Sequence, residues 1–254
     1  MAATTAAPDV ARLLAALGSV RDPELDEPIT ALGFVAACAI SADGDAEVQL
    51  RLPTYFCAPN FAYLMAADAY DAVTAVPGVR TARVLLEDHF AADAINSGVA
   101  AQAGFVQSFS GEAEDELDDL RTNFLRKAVL AGTDQVCRAL GAAGSVATGA
   151  AGVARLRTLT LAEVPPSPEA DRLRRRRAEL GLPADDDALL LLDPATGEPV
   201  EESAVPLHLR RARLTAISIE ANASICRGML RRRYSSPGLG EISPGLTVPG
   251  EENP

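Results

Sequence analysis

Between Glu47 and Leu86 the hydrophobic period changes twice, and the order of those changes constrains the fold more than any other feature of the chain. Glu47 to Leu52 alternates strictly, with Val48, Leu50 and Leu52 opposite Glu47, Gln49 and Arg51, the pattern of a strand with one buried face. From Pro59 the period becomes helical, because Phe61, Leu64, Met65, Ala69, Ala72, Val73 and Val76 make one apolar stripe, which Pro77-Gly78 ends. Val79 to Leu86 then reads as a strand again. A strand, a helix and a strand in this order predict a right-handed crossover, with the last strand parallel to the one before it if both share a sheet.

Upstream, Val10, Leu13, Leu14 and Leu17 fall on one helical face that Gly18 can close. Gly33 to Ile40 places Phe34, Ala36, Cys38 and Ile40 on one side of a strand, so Cys38 is expected to face the core as an inert structural thiol. Asp43-Gly44 supplies a tight turn into Glu47–Leu52, which predicts a β-hairpin. The expected class is therefore α/β of the α+β kind: a small α-β-β-α-β sandwich domain, then a mainly helical extension and a disordered C-terminal tail.

A chain of 254 residues predicts one large or two small domains at about 150 residues each. The expected division is a domain over residues 1–93, a helical segment over 94–140, a flexible Ala/Gly-rich linker over 141–152, a mainly helical extension over 153–234 and a tail over 235–254. In the helical segment Leu117, Leu120, Phe124, Ala128 and Ala131 share a face, after the acidic run Glu112, Glu114, Asp115 and Glu116. In the extension, strands are expected at Arg155–Leu161 and Ala188–Leu192, a basic helix around Arg172–Leu180, and a final helix carrying Leu214, Ile217, Ala221 and Ile225.

The formal charge of −12 repels phosphate backbones and anionic membranes, so neither nucleic acid nor membrane is expected as a partner. No apolar run approaches the roughly 18 residues of a membrane span, and Met1 to Val10 lacks the pattern of a signal peptide, so a cytoplasmic location is expected. Cys38, Cys57, Cys137 and Cys226 lie far apart with no C-x-x-C pair, which favours free thiols. Gly144 to Gly149 has phosphate-loop spacing, but Ala150 and Ala151 replace the Lys and the hydroxyl residue that hold phosphate and magnesium. There is no G-x-S-x-G, no H-E-x-x-H, and no Glu three residues before His89 or His208. Arg172 and Arg174–Arg177 have no interleaved aromatics and read as a solvated helix face or a docking patch for an acidic protein surface.

Cys57 differs from the other thiols in its place. It ends Leu52-Pro53-Thr54-Tyr55-Phe56-Cys57-Ala58-Pro59, just before the helix that Pro59 is suited to begin. Unpaired N–H groups and the positive end of the helix dipole favour a thiolate there, so Cys57 reads as reactive or metal-binding, with an inert loop thiol as the alternative. His89, beside Asp88, reads as a structural histidine or as an oriented base.

These residues carry a resemblance. Asp22-Pro23-Glu24-Leu25, then Pro28-Ile29-Thr30-Ala31-Leu32-Gly33-Phe34-Val35, then the Thr54–Pro59 loop and Pro77-Gly78-Val79, resemble the MIP-eighteen-like family of SufT- and PaaD-type iron-sulfur cluster assembly factors over residues 9–90. The family pattern is a D-P-E loop, an I-x-x-L-G-x-V strand entry that includes Gly33, and a Thr three residues before a Cys, here Thr54 and Cys57. It implies assembly or delivery of iron or an iron-sulfur cluster, with Cys57 as the candidate contact and Asp22 and Glu24 as the acidic loop near it. Thr54, Pro59 and Gly33 support the loop. The family commonly has Pro directly after the Cys, whereas Ala58 stands between Cys57 and Pro59 here. The extension is similar to that of assembly factors encoded beside soluble diiron hydrocarbon monooxygenases, which implies such an oxygenase as client.

One thiolate with two carboxylates holds iron transiently, since a closed tetrahedral site wants four strong ligands. Homodimerisation or a client metalloenzyme would complete the set. The expected function is thus maturation of a client metalloenzyme by an assembly factor that is not a turnover enzyme. The alternatives are a pure interaction scaffold, in which Cys57 is incidental, and a thiol-dependent enzyme using Cys57 with His89.

Overall fold

The computed structural model describes residues 9–111, 113, 115–145 and 150–235. The expected tail beyond Ser235, residues 146–149 of the expected linker, and Glu112 and Glu114 lie outside the described residues.

Helix α1 (Val10–Leu17) starts where the Asp9 carboxylate accepts the Arg12 N–H at 2.8 Å, and buries Leu13 and Leu17. A single turn, α2 (Ile29–Leu32), ends at Gly33, whose φ of +79° is the left-handed conformation that a β-carbon disfavours. Strand β1 (Val35–Ile40) then pairs antiparallel with β2 (Asp45–Arg51) through a turn at Gly44. That glycine has φ +87°, and a β-carbon on it would lie 2.4 Å from the Gly78 carbonyl oxygen, so the turn admits no side chain.

Helix α3 (Pro59–Thr74) carries the chain over to β3 (Thr81–Glu87), which pairs parallel with β2, from Asp45 beside Thr81 to Arg51 beside Glu87. The sheet order is β1-β2-β3, so the shared sheet and the parallel pairing expected from the period changes both occur. Val48, Leu50, Val84 and Leu86 are buried, whereas Arg51 meets Glu87 at 2.8 Å and Arg83 meets Glu47 at 3.6 Å on the opposite face. A bulge between Val35 and Ala37 breaks the strict alternation read in β1. Cys38 is half-buried, and burial pushes its thiol up to about 11. Helix α4 (Ala92–Ala101) packs on β3, where the Asn96 side chain donates to the Leu86 carbonyl at 3.1 Å and accepts the Leu86 N–H at 2.8 Å. The amide thereby satisfies backbone groups that the end of the sheet would leave open.

The short α5 (Phe105–Ser108), the long α6 (Asp118–Ala142), α7 (Ala150–Thr158), α8 (Pro168–Glu179) and α9 (Val205–Tyr234) follow, so the class is α+β with a helical extension. By its contacts the chain forms two units. One comprises Met1–Asp22, Glu27–Leu117 and Ser224–Pro254; the other comprises Pro23–Asp26 and Asp118–Ala223.

The second unit has its own core, in which Val129, Val136, Leu161, Leu173, Leu190 and Leu191 are buried. Arg174, Arg176 and Arg177 depart from the expected solvated face or docking patch, while Arg175 is exposed. Arg177 is 0 % exposed and donates to the carbonyls of Leu189, at 2.9 Å, and of Leu190, while burial and the neighbouring Arg174 pull its guanidinium down to about 10. Arg176, also buried, pairs with Asp26 at 2.6 Å and with Glu179. Arg174 donates to the carbonyls of Ala184 and Leu161, each at 2.9 Å. Arg174 and Arg177 thus brace the irregular segment around Leu190 from within.

That arrangement also explains two expected strands that do not form. Arg155–Leu161 is the end of α7 followed by a single 3-10 turn, with Leu156 and Leu159 buried at the helical spacing of three residues. Ala188–Leu192 makes only the isolated bridges Thr160 with Leu189 and Leu192 with Pro199, since Arg177 takes the carbonyls a second strand would have used. In α9 the apolar residues Leu214, Ile217, Ala221 and Ile225 are exposed, while Ala212, Ala216 and Ala223 are buried.

Candidate functional site

The Cys57 loop lies between the end of β2 and the start of α3, inside the first unit. Ala58 takes the N-cap position of α3 and Pro59 its first turn, so the intervening residue leaves Cys57 one step outside the helix rather than at its cap. The thiol is half-buried, and its Sγ lies 3.3 Å from the Thr54 hydroxyl oxygen, the two ends of a short loop facing each other.

Two groups hold the backbone of this loop. His89, 5 % exposed, accepts the Ala91 N–H on Nδ1 at 3.2 Å, which leaves Nε2 protonated and donating to the Cys57 carbonyl at 2.7 Å. Burial lowers the His89 pKa first, with Arg233 acting in the same direction, and the bond to Cys57 opposes them. The ring is therefore neutral and committed to backbone at both nitrogens. From the last turn of α9, Arg233 donates to the Leu52 carbonyl at 3.1 Å and to the Asp88 carbonyl, tying together the two segments that flank the loop.

Residues 11–86 match the family model described as iron-sulfur cluster assembly protein. Over these residues the chain is similar to that family. The matched assembly domain contains the α-β-β-α-β order and the Thr54–Pro59 loop; the helical extension lies outside it. No curated protein and no solved structure matches the chain.

Within the assembly domain Gly33 ends α2, and a β-carbon there would approach the Leu230 side chain at 3.3 Å. Asp22 is buried, and its N–H donates to the Glu27 carbonyl at 3.0 Å. In the second unit, Glu24 accepts from the Asn222 amide at 3.3 Å. Among the described residues no group of three or more His, Cys, Asp or Glu side chains stands ready to hold a metal ion, and no helix is long and apolar enough to cross a membrane.

Sequence reasoning passed over Tyr55, Phe56 and Phe90, which adjoin Cys57 or His89 in the chain and are 47 %, 77 % and 50 % exposed. Their rings touch, with centroids 5.0 Å apart for Tyr55–Phe56, 5.9 Å for Phe56–Phe90 and 6.3 Å for Tyr55–Phe90. The Phe90 N–H donates to the Tyr55 carbonyl at 3.2 Å, which joins the two loops beneath the rings. A signal was present, because two adjacent aromatics in a loop stand out in a chain that is only 4 % aromatic and has no Trp.

Proposed function

We propose that the protein carries iron or an iron-sulfur cluster transiently, as cargo, and delivers it to a client metalloenzyme through Cys57. The observation that supports this reading is the half-buried Cys57 thiol in the assembly domain, in a loop whose backbone His89 and Arg233 hold in place. A soft thiolate suits iron, and a single one binds it weakly enough to hand on. The remaining ligands come from the client or from a second copy of the chain, and for the client we take forward the class implied by the extension, a soluble diiron hydrocarbon monooxygenase. Asp22 and Glu24 enter as the acidic-loop carboxylates of the family pattern, each to be tested by its own amide variant.

The thiol-dependent enzyme is the weaker alternative, because both His89 nitrogens serve backbone groups and neither is left to take a proton from Cys57. The deciding experiment measures client metal content and activity in cells carrying Cys57→Ser, Glu24→Gln or Asp22→Asn at matched protein level. Cys57→Ser keeps the fold and stops maturation; Glu24→Gln weakens it less. Full maturation with Cys57→Ser rejects the carrier and leaves an interaction scaffold.

A further inference from the structure

We propose that a hollow between α3 and the end of α4 is a second binding site, and that it takes a guanidinium group carried on a short apolar stem. Tyr63, Ala67, Tyr70 and Asp71 recur at i, i+4, i+7 and i+8 along α3, so they share one helical face. With Val99 of α4, Gln102 at its C-cap and Gly104 just beyond, they line a hollow of about 230 Å³. Sites for drug-sized ligands occupy roughly 300–1,000 Å³, so this one suits a single small head group. Tyr63 is the sign of a ligand. It is only 7 % exposed, yet its hydroxyl, in reach of solvent through the hollow it lines, meets no partner among the described residues. A buried hydroxyl left so costs free energy that a bound polar group recovers. The ring is held in place, since Phe105 packs edge-on against it with centroids 5.5 Å apart. On its other flank a β-carbon at Gly98 would touch the ring at 3.4 Å and collide with the Ser108 side chain.

The lining selects the occupant. Asp71 is exposed, is the one ionised side chain of the lining, and pairs with no cation among the described residues. A second carboxylate stands beside Gly104. Glu116 accepts the N–H groups of Phe105 and Val106, at 3.0 and 3.2 Å, and lies 3.0 Å from where a β-carbon on Gly104 would sit. No lysine, arginine or histidine lines the hollow, so an anion would meet repulsion without a counter-charge. The acceptors on offer are the Asp71 carboxylate, the Tyr63 hydroxyl oxygen and the Gln102 amide oxygen. A guanidinium matches them with five N–H donors in one plane, and its weak hydration and affinity for aromatic rings suit the two tyrosines. An ammonium, strongly hydrated and compact, gives up more on entry. Ala67 and Val99 supply apolar contact for the methylenes of the stem. Such a head group arrives either on a free small molecule or as an arginine side chain of a protein, and the chemistry of recognition is the same.

The test titrates the isotopically labelled full chain with butylguanidinium, butylammonium, butyrate and an arginine blocked at both ends, and follows amide chemical shifts. Butylguanidinium should bind saturably with shifts centred on residues 63–71 and 99–104, butylammonium more weakly, and butyrate not at all. Tyr63→Phe keeps the ring and removes only the hydroxyl, and should weaken binding about tenfold, as loss of a hydrogen bond to a charged group does. Asp71→Asn should weaken it about fivefold, the scale of an exposed ion pair, and added salt should have the same effect on the parent. Gln102 takes φ +51°, a left-handed conformation that glycine adopts at less cost, so Gln102→Gly should hold or raise Tm while it weakens binding. Blocked arginine binding as tightly as butylguanidinium assigns the site to an arginine of a protein, and its exclusion while butylguanidinium binds assigns it to a free small molecule; both uphold the site. No saturable shift, equal binding of butylammonium or butyrate, or unchanged affinity in both Tyr63→Phe and Asp71→Asn overturns it. Cys57→Ser should bind butylguanidinium as the parent does, so the outcome is independent of the carrier role.

Discussion

Nε2 of His89 lies 2.7 Å from the carbonyl oxygen of Cys57, so the only histidine of the first unit grips the backbone of that residue and not its sulfur. A neutral ring with Nδ1 satisfied by Ala91 is a fixed donor. It defines where the Cys57 backbone sits while leaving the thiol to its own chemistry.

Replacing that donor should therefore loosen the loop. His89→Ala leaves the Cys57 carbonyl without its partner and opens space behind it, at a cost of about 1–3 kcal/mol, while His89→Gln keeps an N–H and recovers part of the loss. Chemical denaturation and the alkylation rate of Cys57 are the measurements. Unchanged values of both in His89→Ala contradict the role.

The same burial makes stability depend on pH. His89 and His208 both have folded pKa values lowered chiefly by burial, so the unfolded chain takes up protons first, from its ordinary value of about 6.5. Stability is complete above that value and falls as pH drops through and below it toward the lowered folded values. The exposed carboxylates Asp45 and Glu163, also lowered, add to the slope only in the more acid carboxylate range. Melting curves between pH 5 and 8 should flatten in the His89→Gln/His208→Gln variant, and an equally steep slope there would assign the dependence to other groups.

Thiol labelling should rank the cysteines. Burial lifts Cys38 to about 11 and Cys137 to about 12, the latter helped by Asp134, so at pH 8 about one in a thousand Cys38 side chains, and fewer at Cys137, is a thiolate. Cys57 is expected to react with iodoacetamide before either. Peptide mass mapping after a short exposure reads the order, and labelling of Cys38 first would count against a reactive Cys57.

Arg233→Ala removes both donors that tie Leu52 to Asp88. About 1–3 kcal/mol of stability should be lost from the first unit, and hydrogen exchange should accelerate in the 52–60 and 87–91 segments. Exchange confined to the end of α9 would show that the helix is a passenger.

In the second unit, Arg177→Met keeps the volume but strands the Leu189 and Leu190 carbonyls, which should cost about 2–5 kcal/mol. Arg177→Lys should not rescue it, because a single ammonium cannot reproduce the fork that reaches both oxygens. Hydrogen exchange across residues 186–192 in the two variants is the check, and full protection in Arg177→Lys would disprove the bidentate role.

What the sequence determined by itself is whatever rests on neighbours in the chain. Alternation at Val48 and Leu50, the helical stripe from Pro59, and the breaks at Gly44 and Pro77-Gly78 depend on side-chain period and local backbone preference, so the α-β-β-α-β order and the place of Cys57 before α3 were legible. Tertiary structure decided what depends on distant acceptors. Arg233 finds carbonyls 181 and 145 residues away, and no local pattern announces such a pairing. Arg177 resembles a surface arginine until the Leu189 and Leu190 carbonyls close around it, because hydrogen bonding to backbone oxygens lets a cation be buried without a carboxylate beside it. Phe56 reads as an ordinary apolar residue. Only the folded loop, with Pro53 and His89 buried and Phe56 77 % exposed, leaves its ring in water, where apolar surface is costly.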